Sequence, residues 1–359
     1  MTPTFDKVHN RFKLNGNYFS FEDLKEVAYS LVKEGEPFEK DLGNFLLDWL
    51  DDKDSILVKT SGSTGQPKTI ALSKQAMVNS AIATGDFFKL QPGDSALLCL
   101  PATYIAGKMM LVRAIVLGLE IDNVKPTTNP IFDPEKQYDF CAMIPAQVEK
   151  TLHRINNIKI LIVGGAPVSY QLKVKLQDLK TKVFETYGMT ETITHIAVKP
   201  LNASTVSSSA VERSHFQTLP NITISQNKND CLVIEAPQLT AFKIETNDIV
   251  KLHSKTSFQW LGRLDNVINS GGVKLFPEQI EAKLQSTINS RFFISSEKDN
   301  TFGEVAILVI EAEGNTLKPN VFSKLTAIET PKNVYAISPF SETSSGKIDR
   351  NKTLARLKK

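Results

Sequence analysis

The chain has 359 residues, of which 41% are hydrophobic and 23% are charged, and its formal net charge is +3. This composition is typical of a globular chain and argues against extensive disorder. The small charge, spread along the chain, argues against a nucleic-acid-binding protein and leaves room for small anionic ligands.

The cysteines and the apolar segments predict the compartment. Cys99, Cys141 and Cys231 are far apart and form no Cys-x-x-Cys pattern, so neither a disulfide framework nor a zinc site is expected. The amino terminus shows no basic-then-apolar leader, and the richest apolar stretch, 111–119, is interrupted by Arg113. The sequence therefore predicts buried thiols in a cytoplasmic protein with no membrane span.

The first chemical motif follows a short apolar strand and reads T-S-G-S-T-G-Q-P-K-T over residues 60–69. Such a segment directs backbone N–H groups and hydroxyls toward one point, and Lys68 adds a positive charge, so it suits a polyphosphate. Pro67 stands where a Walker-type loop needs Gly, which excludes the ordinary P-loop NTPase. A plain Ser/Gly turn is the alternative. The expected phosphate ligands are Thr60, Ser61, Gly62, Ser63, Thr64, Gly65 and Lys68.

Strand-like and helix-like segments alternate through the first two-thirds of the chain. Strands are expected at 56–59, 96–100, 139–144, 158–163 and 182–185, and this alternation predicts an α/β fold with a mostly parallel sheet. Loops after parallel strands bind ligands, which points to Gly164-Gly165-Ala166-Pro167 and to Tyr187–Thr192. Residues 198–260 predict a smaller β-rich region, and the changed pattern near Leu264 predicts a second domain.

Five further motifs complete the pattern. They are Y-G-M-T-E-T at 187–192, I-E-T-N-D at 244–248, G-R-L-D at 262–265, G-G-V-K-L-F-P-E-Q-I-E at 271–281 and S-S-G-K-I-D-R at 344–350. Together with the 60–69 loop they resemble, over about residues 55–350, the acyl-adenylate-forming (AMP-binding) enzyme superfamily. The resemblance implies a large N-terminal domain, 1–263, with mostly parallel sheets and a β-rich subdomain. It also implies a small mobile α+β C-terminal domain, 264–359.

The sequence departs from the family pattern at several places. Thr69, Asn247 and Ser341-Glu342 replace the usual residues, but none of these removes a charged catalytic position. The phosphate loop begins near residue 60, where full-size members have over twice as much chain ahead of it. The resemblance therefore implies a truncated N-terminal subdomain, with consequences for the acyl pocket and the coenzyme A entrance.

The resemblance implies an enzyme that uses ATP to adenylate a carboxylic acid, releases pyrophosphate and passes the acyl group to coenzyme A. Thr190 would hydrogen-bond phosphate, Glu191 would hold Mg²⁺, and Lys347 would stabilise charge between the attacking carboxylate and the α-phosphate. Without the other motifs Lys347 would be interpreted as a solvated surface charge. The nucleotide ligands implied are Tyr187 and Gly188 with Gly164, Gly165, Ala166 and Pro167 at adenine, and Asp248 and Arg263 at the ribose.

The second half of the reaction is assigned to another arrangement of the small domain. The family places its hinge at the position of Asp265. Rotation there would withdraw Lys347 and bring the Gly271-Gly272 loop to the site, where the coenzyme A thiol attacks the acyl-adenylate.

The acid is predicted from a narrower resemblance. Segments 187–197 and 100–110 are similar to those of the o-succinylbenzoate-CoA ligases of menaquinone biosynthesis, which act on an aromatic dicarboxylic acid. A dianion needs a second cation, and Lys108 and Arg113 lie on a segment expected to flank the acyl site, as does Tyr104. The alternative is a Lys and an Arg extending along a half-buried helix. His195 either borders the acyl group or is a hydrogen-bonded, semi-buried histidine.

Two other functions stay open on the sequence alone. An adenylating enzyme could load the phosphopantetheine of a carrier protein, and a relative could bind nucleotide without catalysis. Lys68, Glu191, Asp248, Arg263 and Lys347 are all present, which argues against the second of these. The oligomeric state is not predicted.

Overall fold

The computed structural model describes residues 3–59, 69–202, 215–314, 317–342 and 348–357. The helices in these ranges are α1 (Phe21–Glu34), α2 (Pro37–Trp49), α3 (Lys74–Phe88), α4 (Ile105–Leu117), α5 (Pro145–Thr151), α6 (Tyr170–Leu176), α7 (Pro277–Leu284) and α8 (Arg350–Leu357). The strands are β1 (Lys13–Leu14), β2 (Asn17–Tyr18), β3 (Ser55–Lys59), β4 (Thr69–Ser73), β5 (Ser95–Leu98), β6 (Glu120–Asn123), β7 (Tyr138–Met143), β8 (Ile158–Val163), β9 (Lys182–Gly188), β10 (His195–Pro200), β11 (Phe216–Thr218), β12 (Thr223–Gln226), β13 (Cys231–Glu235), β14 (Ile244–Ser254), β15 (Ser257–Arg263), β16 (Ile268–Ser270), β17 (Val273–Leu275), β18 (Phe292–Asp299), β19 (Gly303–Ile310) and β20 (Asn333–Ala336).

The chain divides into two compact units. The first comprises residues 1–224, 234–244 and 253–258, and the second comprises 225–233, 245–252 and 259–359. The second unit therefore takes two segments from the β-rich region as well as the carboxyl-terminal part of the chain. The functional division into 1–263 and 264–359 stays a prediction.

A mostly parallel sheet organises the first unit, with strand order β11-β10-β9-β8-β7-β5-β6-β1-β2. The pairs β9 with β8, β8 with β7, β7 with β5, β5 with β6 and β6 with β1 are parallel, whereas β10 pairs antiparallel with β9 and β11. The prediction of an α/β fold with a mostly parallel sheet is confirmed, and the described part of 198–260 is β-rich as expected.

The expected placement of the strand at 56–59 in the parallel sheet is wrong. β3 pairs antiparallel with β4 from Ser55 with Ser73 to Lys59 with Thr69, in a separate two-stranded sheet. The physical reason is proximity along the chain, because two extended segments joined by residues 60–68 can pair directly. A parallel pair would instead need a longer crossover connection.

The central strands are apolar throughout because both faces of the sheet are covered. In β8, Ile160 and Ile162 belong to one buried cluster, which includes residues of α3 and α4. Leu161 and Val163 belong to the other, which includes residues of α5 and α6. Parallel strands buried on both sides are expected to read as continuous apolar runs, as 158–163 does.

The second unit has its own small sheet, in the order β17-β16-β19-β18, with β20 also pairing with β19. Ile294 and Leu308 pack with Ile280 and Leu284 of α7 in one buried cluster. Phe293, Ile307, Val309 and Phe340 form the other, against which residues of α8 pack. β18 has a neighbouring strand on one side only, so the backbone groups along its outer edge need other partners.

The three cysteines are free and buried, as expected. Among the residues described, no helix combines the length and the apolar content that a membrane crossing requires.

Candidate active site

One group of candidate residues lies in the first unit, at one edge of the parallel sheet. Since β5, β7, β8 and β9 run in the same direction, the segments that follow them begin at the same edge. These segments are Cys99–Tyr104, Ile144, Gly164–Pro167 and Met189–Thr194. The topology thus brings together three of the regions that the sequence marks as functional.

Two glycines in this edge allow backbone segments to approach closely. A Cβ on Gly164 would lie 2.2 Å from Thr186 Oγ1, and a Cβ on Gly188 would lie 2.3 Å from the carbonyl oxygen of Thr194. Either contact is far shorter than a van der Waals separation. The packing of these two loops therefore favours glycine at both positions, independently of any ligand.

The Met189–Thr194 segment is held by the buried hydroxyl of Thr192. This hydroxyl lies 2.9 and 2.8 Å from the carbonyl oxygens of Met189 and Thr194, which compete for its single proton, and it accepts from the Met189 N–H at 3.0 Å. Ile193 adopts a left-handed backbone with φ of 67°, which a β-branched residue rarely does. The turn is therefore fixed by local hydrogen bonds and is not a free loop.

Thr190 and Glu191 lie in the 3₁₀ turn Thr190–Thr192 at this edge. Glu191 is exposed, and its carboxylate has no hydrogen-bond or ion-pair partner in the described part of the chain. Carboxylate oxygen is a ligand type that Mg²⁺ accepts, usually with several waters retained, so an unengaged, solvent-facing carboxylate fits the expected metal role. Its role as a metal ligand stays a prediction.

Tyr187 is half-buried in an aromatic cluster. Its ring centroid lies 5.8 Å from that of Phe216 and 5.2 Å from that of Phe258. These contacts fix the ring orientation, which is what a stacking surface for a base requires. Adenine binding by Tyr187 stays a prediction.

Helix α4 carries both cations expected at the acyl site, and it begins after Tyr104, whose side chain is 63% exposed. Lys108 is buried, with its ammonium 4.7 Å from the centroid of the Phe45 ring on α2. Burial lowers the pKa of Lys108, and Asp48 and Asp41 act in the opposite direction. Lys108 therefore has partners on α2.

Arg113 is enclosed in the core, with 1% of its surface exposed. Its Nε donates to Thr84 Oγ1 at 3.3 Å, Nη2 lies 3.4 Å from His195 Nδ1, and Nη1 lies 3.8 Å from Met110 Sδ. Within the described ranges no carboxylate pairs with it. Burial lowers its pKa to about 9, so it remains a cation at neutral pH. The alternative predicted for Lys108 and Arg113 is that they extend along a half-buried helix. That description of the helix is wrong, since α4 is buried along most of its length.

His195 supplies an oriented donor beside this cation. Burial, and then the charge of Arg113, lower the pKa of His195 well below its ordinary value, so the ring is neutral. Because Nδ1 faces the Arg113 donor, the ring proton is assigned to Nε2. His195 Nε2 and Ser80 Oγ are both buried without a hydrogen-bond partner in the residues described. Unpaired buried polar atoms are costly and call for a ligand or a bound water.

A separate group of candidate residues lies in the second unit, near the carboxyl end of β15. Asp248 is buried to 9% exposure, and its N–H donates to Thr246 Oγ1 at 3.2 Å. Arg263 Nε lies 3.6 Å from Asp248 Oδ1, which is too long for a hydrogen bond and leaves this Nε without an acceptor among the described residues. The Asp248 carboxylate can accept hydrogen bonds from both hydroxyls of a ribose, and Arg263 Nε can donate to one of them. Ribose binding by these two residues stays a prediction.

Asp265 and the Gly271-Gly272 pair follow in the same unit. Asp265 accepts a 2.5 Å hydrogen bond from Asn247 Nδ2 and lies in the 3₁₀ turn Leu264–Asn266. Gly271 and Gly272 have φ of 56° and 82° and join β16 to β17 as a two-residue hairpin turn. Positive φ at both central residues is the geometry that glycine allows and other residues resist.

The expected residues Thr60, Ser61, Gly62, Ser63, Thr64, Gly65, Lys68 and Lys347 lie outside the described residues. Two residues of the Arg113 environment were missed by sequence reasoning, namely Ser80 and Thr84 on α3. Their signal in the sequence is a pair of small hydroxyl residues four positions apart on an otherwise apolar helix face. Such a pair matches no known motif and carries no charge, so it does not stand out as a functional feature.

Comparisons with known proteins identify the family of this chain. A family model described as AMP-binding enzyme matches residues 48–223. An acyl-CoA synthetase (AMP-forming)/AMP-acid ligase II-like protein from Dyadobacter fermentans is 34% identical, with 93% of this chain and 98% of that chain covered and a TM-score of 0.62.

Two more distant relatives are named for one substrate. A 2-succinylbenzoate–CoA ligase from Lactococcus lactis is 23% identical over 327 residues, which are 84% of this chain and 71% of the relative. An O-succinylbenzoate coenzyme A synthetase from Bacillus subtilis, in complex with ATP and magnesium ion, has a TM-score of 0.70 at 17% identity, covering 94% of this chain and 82% of that chain. At that identity the second similarity concerns the fold alone.

Proposed function

Since the chain belongs to the AMP-binding enzyme family, we propose that it is an ATP-dependent acid-thiol ligase acting on o-succinylbenzoate. It adenylates the acid with release of pyrophosphate and then transfers the acyl group to coenzyme A. The name of the Lactococcus relative supports this acid, and the buried free thiols support a cytoplasmic location. Free coenzyme A is preferred over a carrier protein as the acceptor because that relative is named for it.

The observation that carries the substrate proposal is Arg113. A buried guanidinium without a carboxylate partner in the described ranges is costly, and a ligand carboxylate would supply its missing charge. The Nε2–H of His195 lies on the other side of the ring from the Arg113 contact and would donate to a different acceptor of the bound acid. A dianionic acid thus has one carboxylate for Arg113 and one for adenylation, whereas Lys108 is engaged with α2.

Each of the two steps of the proposed reaction uses particular residues of the chain. In the first step, a carboxylate oxygen bonds to the α-phosphorus while the bond to pyrophosphate breaks, and Lys347 stabilises the charge that gathers there. Asp248 and Arg263 hold the ribose, so that the phosphate lies in line with the acid. When bound, Mg²⁺ neutralises charge on phosphate oxygens, and Glu191 is the residue that would hold it. In the second step, the thiol sulfur bonds to the acyl carbon, AMP leaves, and the thiol proton passes to solvent.

The substrate proposal predicts a selective effect of Arg113→Met. We expect o-succinylbenzoate to drive ATP-dependent pyrophosphate release and, with coenzyme A, thioester formation, while fatty acids are poor substrates. Removing a charge-assisted hydrogen bond costs about 1.5–3 kcal/mol, so the variant should raise the KM for o-succinylbenzoate about 10- to 150-fold without changing the KM for ATP.

Lys108→Met is the matched control, because it removes a buried cation from the same helix. It should leave the KM for the acid near the wild-type value, and an analogue with one carboxylate should not distinguish Arg113→Met from wild type. Efficient turnover of a medium-chain fatty acid with none of o-succinylbenzoate would refute the substrate, and an unchanged KM in Arg113→Met would assign this residue to packing.

The ribose assignment predicts a nucleotide-specific effect. Asp248→Ala should weaken ATP binding, measured by calorimetry, by about 10- to 150-fold, since it removes a charged acceptor of the ribose hydroxyls. The same variant should bind ATP and 2′-deoxy-ATP with similar affinity, whereas wild type should prefer ATP. Preserved discrimination in Asp248→Ala would show that another group holds the ribose.

A further inference from the structure

The chain on either side of the 343–347 segment is tied together in the second unit. Glu342 and Ile348 form an antiparallel bridge, and the Asp349 N–H donates to the carbonyl oxygen of Ser341 at 2.8 Å. Lys347 immediately precedes Ile348 in the chain. The two flanking stretches are called here the amino arm (Phe340–Glu342) and the carboxyl arm (Ile348–Arg350).

The carboxyl arm is held by a buried ion pair at the edge of β18. Arg350 Nη2 donates to Glu281 Oε2 at 2.9 Å, and Arg350 Nη1 donates to the carbonyl oxygen of Ile294 at 3.3 Å. Glu281 Oε1 accepts from the Ile294 N–H at 2.8 Å, and the guanidinium lies 5.5 Å from the centroid of the Phe293 ring. One residue of the open strand edge, Ile294, thus binds both members of the pair, through its N–H and its carbonyl oxygen.

The amino arm is held at the residue that precedes β18. Arg291 Nη1 donates to Glu342 Oε1 at 2.6 Å, and Arg291 Nε lies 3.5 Å from Glu311 Oε2. The other oxygen of Glu311 accepts from the Phe340 N–H at 2.6 Å. Both arms are therefore bound to residues 291–294. Arg291 binds Glu342 of the amino arm, and Arg350 of the carboxyl arm binds the Ile294 carbonyl oxygen.

The Arg350–Glu281 pair needs the forked shape of the guanidinium. Burial raises the pKa of Glu281 to about 7, with Glu278 acting in the same direction and Arg350 and the Ile294 N–H acting against it. A lysine at 350 would keep the charge but could not bind the carboxylate and the Ile294 carbonyl with two fixed donors. The geometry of the pair, beyond its charge, holds the carboxyl arm.

We propose that residues 291–294, with Glu281, Arg350 and Glu342, form a positioning platform that sets the location of Lys347 during adenylation. The platform residues act through Lys347 and do not touch the reacting atoms. This inference rests on the proposed role of Lys347 in adenylation. Misplacement of a catalytic group by about 1 Å can lower a rate about 10²-fold, so a change in the platform should be visible in that half-reaction.

The test is a double-mutant cycle between Arg350→Lys and Lys347→Ala in the full chain. Adenylation is followed by o-succinylbenzoate-dependent pyrophosphate exchange, and thioester formation by adding synthetic acyl-adenylate and coenzyme A. We expect Arg350→Lys to lower the adenylation kcat at least tenfold with unchanged KM values for acid and ATP, and to leave thioester formation near wild type. In the Lys347→Ala background the same change should have no further effect.

Glu342→Gln tests the amino arm with a milder change and should also lower the adenylation kcat alone. Glu329→Gln is the matched control, because it breaks a comparable ion pair of α7, with Lys283, that does not involve the arms. Equal losses from Arg350→Lys in both Lys347 backgrounds, or a loss in Glu342→Gln no larger than in Glu329→Gln, would overturn the platform. Normal adenylation in Lys347→Ala alone would instead overturn the role of Lys347 and this inference with it.

Discussion

Replacing Lys347 with alanine is expected to lower acid-dependent pyrophosphate exchange on the order of 10²- to 10³-fold, while conversion of supplied acyl-adenylate and coenzyme A to thioester stays nearly intact. The reason is that the ammonium stabilises charge only in the transition state of the first half-reaction. Both half-reactions are measured separately on the same preparation, with thermal unfolding as the check on folding.

Asp265→Pro provides the complementary change. Proline restricts φ at the proposed hinge, so this variant should lose thioester formation and keep adenylation if it locks the adenylating arrangement. Equal losses in both half-reactions for Lys347→Ala would contradict either the alternation of the small domain or the placement of Lys347 in it.

The second large effect is expected for Glu191→Ala. Removing the proposed metal ligand should lower the rate of Mg²⁺-dependent adenylation about 10²-fold or more at low Mg²⁺ concentration. The reason is that the charge on the phosphate groups is then less well neutralised. The exchange rate is measured as a function of Mg²⁺ concentration, and calorimetry follows the binding of ATP with and without the metal. ATP binding without Mg²⁺ should not change.

Two outcomes would separate the metal role from a general one. If Glu191→Ala weakens ATP binding equally with and without Mg²⁺, the carboxylate acts on the nucleotide or on the fold. If the dependence on Mg²⁺ concentration is that of wild type, another residue holds the metal.

The parallel sheet could be predicted because its central strands are buried on both faces. Such strands appear in the sequence as continuous apolar runs, of which 158–163 is an example. The pairing of 55–59 could not, since strand pairing depends on what lies next to a segment in space and an isolated apolar run does not specify it. The composition of the second unit could not be predicted for the same reason. Its segments 225–233 and 245–252 are separated in the sequence by residues 234–244, which belong to the first unit.

The candidate site divides in a similar way. Motifs mark Tyr187, Glu191, Asp248 and Arg263 as candidates because these residues stand in the order along the chain that the family resemblance implies. The environment of Arg113 has no such signature. Its partners Thr84 and His195 are 29 and 82 residues away in sequence, and the absence of a nearby carboxylate in the described ranges becomes apparent only when the helices are packed.

Arg113 also bears on how this protein could be made more thermostable. Replacing a buried ion with an apolar side chain of similar volume is often neutral or stabilising by about 1–4 kcal/mol. An engineering search guided by unfolding temperature alone would therefore tend to select methionine or leucine at this position, deep in the core. Residue 113 should be held fixed in such a search, since heat resistance gained there would come from the feature that we propose selects the acid.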